Sequence, residues 1–206
     1  PAFYTLLRKA GFDHMTCGPD HYGHGLALGT GGASLMQLAR VYAAIARGGM
    51  LLPVFIGEDR RGSPITAGGG ARLMTDKTAR YITGILADRE IRRRASPGSR
   101  NFLDFPFEVA VKTGTSKDYR DAWTLGFTTR YVVGVWAGNF SGKPMKRVSG
   151  SWGSGRIFHQ VMRLLTGREH PRFTRTDGFI SLKICRTSGK RARESCPSYR
   201  ETFAPG

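Results

Sequence analysis

Lys112-Thr113-Gly114-Thr115-Ser116 gathers an ammonium, three hydroxyls and a glycine into five consecutive residues. A cation beside hydroxyl donors can hold a carboxylate, the lysine by charge and the threonines by hydrogen bonds. Gly114 has no Cβ, so the backbone of a ligand can lie close against it. On the edge of a sheet, these residues would pair with an extended substrate through the main chain while their side chains grip its charged end.

Other groupings carry less chemistry. Cys17 with His14, His21 and His24 offers zinc-type ligands in a glycine-rich loop, but the spacing fits no ligand signature, and no metal is expected. Leu28-Gly29-Thr30-Gly31-Gly32-Ala33 lacks the Gly-Lys-Ser/Thr ending of a phosphate loop and the Gly-x-Gly-x-x-Gly of a dinucleotide site. It reads as a loop feeding a helix, and no cofactor is implied.

The elements that must position Lys112 can be read around it. Phe105, Phe107, Val109 and Val111 alternate with other residues, which predicts a half-buried strand running into the Lys-Thr-Gly segment. Trp123 to Thr128 and Tyr131 to Asn139 form a hairpin with Thr129-Arg130 at its turn. Tyr131, Val133, Val135 and Ala137 share one face and Val132, Gly134 and Trp136 the other, so both faces of that strand should be covered.

Four helices are predicted around this sheet. Pro1 to Ala10 carries Phe3, Leu6, Leu7 and Ala10 on one face and stops at Gly11. Ser34 caps a helix through Arg47, with Leu35, Leu38, Ala39, Tyr42, Ile45 and Ala46 as its apolar stripe. A third runs from Thr75 or Asp76 to Asp88, packing through Ala79, Ile82, Ile85 and Leu86. The fourth, Ser154 to Leu165, offers Ile157, Phe158, Val161, Met162, Leu164 and Leu165. Met50 to Ile56 reads as a strand that Pro53 demotes to an edge or an irregular piece, residues 57–70 as a surface loop, and 89–104 as a basic, turn-rich stretch. Antiparallel strands with helices gathered around them make an α+β domain.

The Lys112 segment continues as Lys117-Asp118-Tyr119-Arg120-Asp121-Ala122-Trp123, then Gly126-Phe127 and Val133-Gly134-Val135-Trp136-Ala137-Gly138-Asn139. Lys-Thr-Gly is a signature of the active-site-serine penicillin-binding proteins and β-lactamases. With this continuation the chain resembles the transpeptidase domain of the class A penicillin-binding proteins, most of all their 1C subgroup, over nearly its whole length. Ser34-Leu35-Met36-Gln37-Leu38-Ala39 matches the usual opening of a family helix. The resemblance implies the penicillin-binding transpeptidase or serine β-lactamase-like fold, incomplete at its N-terminus, in a peptidoglycan D,D-transpeptidase acting through a serine acyl-enzyme. It also implies partners: peptidoglycan stem peptides ending in D-Ala-D-Ala, and β-lactams in the complete protein. Lys112 would set the electrostatics of the cleft and assist proton movement. Thr113 and Thr115 would bind the terminal carboxylate, beside Gly114, and the main chain at Thr115 would supply an oxyanion-hole N–H.

The family's nucleophile is a serine with a lysine three residues later, and no serine of this chain has one: Ser34 is followed by Gln37, Ser63 by Thr66, Ser116 by Tyr119 and Ser181 by Ile184. Ser99-Arg100-Asn101 spells the family's Ser-x-Asn, but only eleven residues before Lys112, whereas the family places that loop far upstream; it reads as coincidence. The chain alone is therefore expected not to be a competent transpeptidase. The family also implies a parent with a glycosyltransferase domain, located in the periplasm and anchored in the inner membrane by a segment upstream of Pro1.

Residues 1–166 read as the distal part of the transpeptidase domain, 167–178 as a linker, and 179–206 as the start of a small C-terminal accessory domain such as the 1C subgroup carries. Phe179 to Cys185 alternates like a strand. In an oxidising periplasm Cys185 and Cys196 can close a disulfide, worth about 3 kcal/mol in chain entropy; two free thiols are the other reading.

The formal net charge of +17 draws the chain toward polyanions, including anionic cell-wall or membrane surfaces. Runs such as Asp59-Arg60-Arg61, Arg89 to Arg94 and Lys190 to Arg193 read as solvated faces, and without interleaved aromatics they do not suit nucleic acid. An alternative reading makes the chain a non-catalytic module of the same fold that binds cell wall or a partner protein.

Overall fold

The computed structural model describes residues 2–95, 102–145, 153–174 and 179–203, in two compact units, Pro1–Phe173 and Thr174–Gly206. In the first unit α1 (Ala2–Lys9), the short α2 (Pro19–Tyr22) and α3 (Leu35–Ala46) are followed by β1 (Met50–Leu51), β2 (Val54–Glu58), β3 (Pro64–Ala67) and β4 (Ala71–Arg72). Then come α4 (Asp76–Ala87), α5 (Arg89–Ala95), β5 (Ala110–Thr115), β6 (Asp121–Phe127), β7 (Val132–Gly138) and α6 (Ser154–Thr166). All pairings are antiparallel: β1 with β4, β2 with β3, and β5-β6-β7 as a three-stranded sheet. The architecture is the expected α+β class.

The three-stranded sheet is a scaffold because both its faces are covered. On one face Gly134 lets Leu35 of α3 approach to 3.0 Å from where a Cβ would stand. On the other, a Cβ on Gly126 would lie 2.7 Å from Phe158 Cζ of α6 and 2.5 Å from the Ala110 carbonyl oxygen. Phe158 and Met162 of α6 are fully buried with Phe105, Val109 and Val111. Burying each such side chain contributes about 1.5–3 kcal/mol.

Helix boundaries follow their caps. Ser34 Oγ accepts the Gln37 N–H at 3.2 Å while Gln37 Oε1 accepts the Ser34 N–H at 2.9 Å, a complete capping box. Thr75 Oγ1 accepts the Thr78 N–H at 3.1 Å and starts α4.

Several expectations are corrected. The ladder begins at Ala110; Phe105, Phe107 and Val109 alternate into the core from a non-ladder approach. Met50 to Ile56 is broken at Leu52-Pro53 into two strands of different sheets, since proline cannot donate to a ladder. Residues 57–70 hold β3, because Asp59 Oδ1 accepts the N–H groups of Arg61 and Ser63 and turns the chain back on β2. The basic 89–104 stretch opens with α5, nucleated by Asp88 Oδ1 accepting the Ile91 N–H at 3.0 Å.

Within that run Arg92 is not solvated. It is buried and donates to the carbonyls of Leu86, Leu103 and Val109 at 2.9–3.2 Å. Burial pulls its guanidinium below the ordinary value, against the attraction of Asp104 and Asp88. Ile85, Ile157, Leu164, Leu165 and Phe3, expected in the core, are substantially exposed. In α1, Tyr4 packs instead, its hydroxyl donating to the Met15 and Cys17 carbonyls. Ser99-Arg100-Asn101 lies outside the described residues.

The second unit is a hairpin of β8 (Ile180–Cys185) and β9 (Ser198–Phe203), the latter not foreseen from sequence. Cys185 and Cys196 are joined by a disulfide across a Cα separation of 5.7 Å. Among the described residues no helix is long and apolar enough to cross a membrane.

Candidate active-site strand

Lys112, Thr113, Gly114 and Thr115 all lie on β5, which among the described residues pairs only with β6 and so is the outer strand of its sheet. Their register is Lys112 opposite Leu125, Thr113 opposite Thr124, Gly114 opposite Trp123 and Thr115 opposite Ala122. Ser116 N–H donates to the Asp121 carbonyl at 2.9 Å, so the ladder ends in a hydrogen-bonded pair. Because such pairs alternate, the main-chain groups of Lys112 and Gly114 turn toward β6, and those of Thr113 and Thr115 turn to the outer edge. Two outer contacts agree with this parity. Arg92 takes the Val109 carbonyl, and Lys112 Nζ donates to the Thr113 carbonyl at 2.5 Å.

Side chains alternate between the faces. Lys112, exposed, shares its face with Leu125 and Gly134, on the side where α3 packs. Thr113 and Thr115 share the α6 side, where Thr124 Oγ1 meets Ser154 Oγ at 2.8 Å in full burial. The cation and the two hydroxyls therefore flank the edge from opposite faces. A ligand that touches all three must lie along the edge itself.

Gly114 has ordinary backbone geometry, and among the described residues a Cβ there would find only Trp123 Cβ, at 3.7 Å. No described residue demands glycine there, which leaves the open side as the source of any demand. Next to Gly114 runs an aromatic row: Trp123 and Trp136 with ring centroids 6.2 Å apart, and Phe140, fully exposed, 5.3 Å from Trp136. Sequence reading put Trp123 and Trp136 on strands but missed that their register stacks them beside the site.

The turn after the strand was also missed. Asp118 and Tyr119 adopt positive φ, +60° and +55°, which non-glycine residues rarely hold. The conformation is pinned at both ends: Tyr119 N–H donates to the Ser116 carbonyl, and Met145 N–H to the Tyr119 carbonyl at 3.0 Å. Asp121 closes the base of the turn, its Oδ2 accepting the Ser116 hydroxyl and its Oδ1 the Trp136 indole N–H.

The residues weighed for zinc do not converge: His14 Nε2 donates to the Gly32 carbonyl, and His21 packs edge-on against Tyr22. Among the described residues no three of His, Cys, Asp and Glu are grouped to hold a metal ion.

No protein-family model matches the chain. Penicillin-binding protein 1C of Escherichia coli K12 is 32% identical over 181 residues, 87% of this chain. Penicillin-binding protein 1A of Neisseria lactamica is 29% identical over 171 residues, 76% of this chain. The chain spans only about a fifth of these relatives, 22% and 21% of their lengths. The crystal structure of penicillin-binding protein 1A from Haemophilus influenzae superposes with a TM-score of 0.66 at 18% identity, covering 98% of this chain and 38% of that one, a likeness of fold.

Proposed function

Because the chain belongs to the class A penicillin-binding proteins, as part of their transpeptidase region, we propose that it forms the Lys-Thr-Gly wall of a peptidoglycan D,D-transpeptidase. The observation that carries this reading is the outward turn of the Thr113 and Thr115 main chain on an outer strand, with Lys112 on one flank and two hydroxyls on the other. A stem peptide ending in D-Ala-D-Ala lies along that edge as an added strand. Its carboxylate is held by the Thr113 and Thr115 hydroxyls and the Lys112 ammonium, which exchanges the Thr113 carbonyl for the anion. Gly114 lets the peptide backbone approach, and the Thr115 N–H stabilises the oxyanion as the penultimate carbonyl is attacked.

The attacking serine and its lysine are supplied by a part of the protein outside this sequence, since no serine here is followed three positions later by lysine. By itself the chain forms no acyl-enzyme. The parent carries a glycosyltransferase domain and works in the periplasm from an inner-membrane anchor, and β-lactams occupy the same edge as mimics of the peptide terminus. Residues 1–166 belong to the transpeptidase domain, 167–178 connect, and 179–206 begin an accessory domain.

The missing nucleophile also favours a second reading, a non-catalytic module that binds cell wall through the same edge. One experiment separates the two. The chain replaces the matching segment of E. coli penicillin-binding protein 1C, and the chimaera is treated with fluorescent penicillin. Labelling that falls with Thr115→Val supports the enzyme; a correctly folded chimaera that never labels supports the binding module.

A further inference from the structure

The β8–β9 hairpin has two unlike faces. Ile180, Leu182 and Ile184 stand opposite Phe203, Glu201 and Tyr199, an apolar face on which Ile184 is only 6% exposed. The other face carries Ser181, Lys183, Arg200 and Thr202. Lys183 lies directly opposite Arg200, and both are exposed. Like charges at directly opposed positions destabilise a sheet, and they bring two cations to within about 5.5 Å at Cβ.

Among the described residues of the unit, no ion pair neutralises them. Residues 179–203 hold six cations, Lys183, Arg186, Lys190, Arg191, Arg193 and Arg200, against Glu194 and Glu201. None of the six is ion-paired among the described residues. Glu201 faces the apolar side with Leu182, away from the cation pair. The loop bearing four of the cations is held to the sheet by the Cys185–Cys196 disulfide, and Ala192 N–H donates to the Lys183 carbonyl at 2.8 Å. The positive field is therefore fixed in place.

We propose that the Lys183–Arg200 face docks on an anionic phospholipid bilayer, independently of the transpeptidase reading. One face of the hairpin gathers adjacent cations and hydroxyls, which suits a surface dense in phosphate groups, and each cation near such a surface strengthens partition about fivefold. A single-stranded nucleic acid needs cations interleaved with aromatic platforms. Here the aromatics, Tyr199 and Phe203, stand on the opposite face with Glu201 between them.

The test is sedimentation of the full chain with phosphatidylcholine vesicles, with and without phosphatidylglycerol, at low and high salt. The net charge of the whole chain requires a matched control, so Lys183→Glu/Arg200→Glu is compared with Arg60→Glu/Arg61→Glu, which reverses as much charge in the β2–β3 turn. The proposal expects binding that needs phosphatidylglycerol, fades with salt, and drops by at least about twentyfold in the 183/200 variant while the 60/61 variant keeps most of it. Lys183→Gln/Arg200→Gln, which removes the like-charge repulsion that the Glu pair keeps, should show the loss with the hairpin intact. Equal losses in the two reversal variants, or full binding in the Gln pair, overturns the proposal.

Discussion

Asp121 Oδ1 accepts the indole N–H of Trp136 at 2.9 Å, fastening the first residue of β6 to β7 while its Oδ2 holds Ser116 at the end of β5. One half-buried carboxylate thus ties together all three strands of the site-bearing sheet. It also fixes the base of a turn whose Asp118 and Tyr119 sit at positive φ. Asp121→Ala removes the acceptor from a partly buried indole and frees the turn. The expected cost is about 1–2 kcal/mol in urea denaturation, and in a double-mutant cycle Asp121→Ala and Trp136→Phe should cost less together than the sum of the two alone, because they share one hydrogen bond.

Gly126 and Gly114 should separate fold from function. A methyl at 126 meets the Ala110 carbonyl and Phe158, so Gly126→Ala is expected to cost about 1–3 kcal/mol by overpacking. A methyl at 114 has room inside the chain, so Gly114→Ala should leave the denaturation midpoint unchanged or slightly raised. In the penicillin-binding protein 1C chimaera the same Gly114→Ala should nevertheless slow penicillin labelling, because the methyl would narrow the open side along which the proposed ligand lies.

Arg92 holds three carbonyls from three segments, α4, the approach to β5 and the residue before β5. Arg92→Met fills the space but strands those acceptors, with an expected loss of about 3 kcal/mol. Arg92→Lys, with one ammonium in place of the fork, should recover only part of it.

Tyr42 is packed edge-on against Phe127, and burial pushes its hydroxyl from 10.0 up to about 12. The unfolded chain then ionises this group first. Its contribution is complete below pH 10 and is lost as pH rises from 10 through about 12, a loss of up to about 2–3 kcal/mol. Tyr42→Phe should lack that increment, so the two stabilities, compared from pH 9 to 12, should diverge only in this window.

The sequence made the helices legible where periodicity and caps agree, as at Ser34 and at Thr75. It made the Lys112 segment legible through a known motif and the 121–138 hairpin through alternation, while the alternation of Phe105, Phe107 and Val109 marked core contacts ahead of the ladder. What it hid was contact between residues remote in the chain. Thr124 and Ser154 pair thirty residues apart, Asp121 and Trp136 pair across the hairpin, and no periodic signal marks either. Arg92 was hidden by its charge, because a basic run reads as solvent-facing until backbone carbonyls surround it. The exposure of Leu164 and Leu165 shows the converse error: apolar residues at helical spacing describe a stripe, and its outer edge need not be covered.

The most direct measurement is the rate at which fluorescent penicillin acylates the chimaera with Lys112 intact and with Lys112→Ala. A cation that orients the carboxylate and assists proton movement at the edge of β5 is worth about a hundredfold or more in that rate. The account predicts a loss of that size in a variant whose thermal stability is unchanged, as befits an exposed side chain. An undiminished rate would contradict the assignment of β5 as the wall of the cleft.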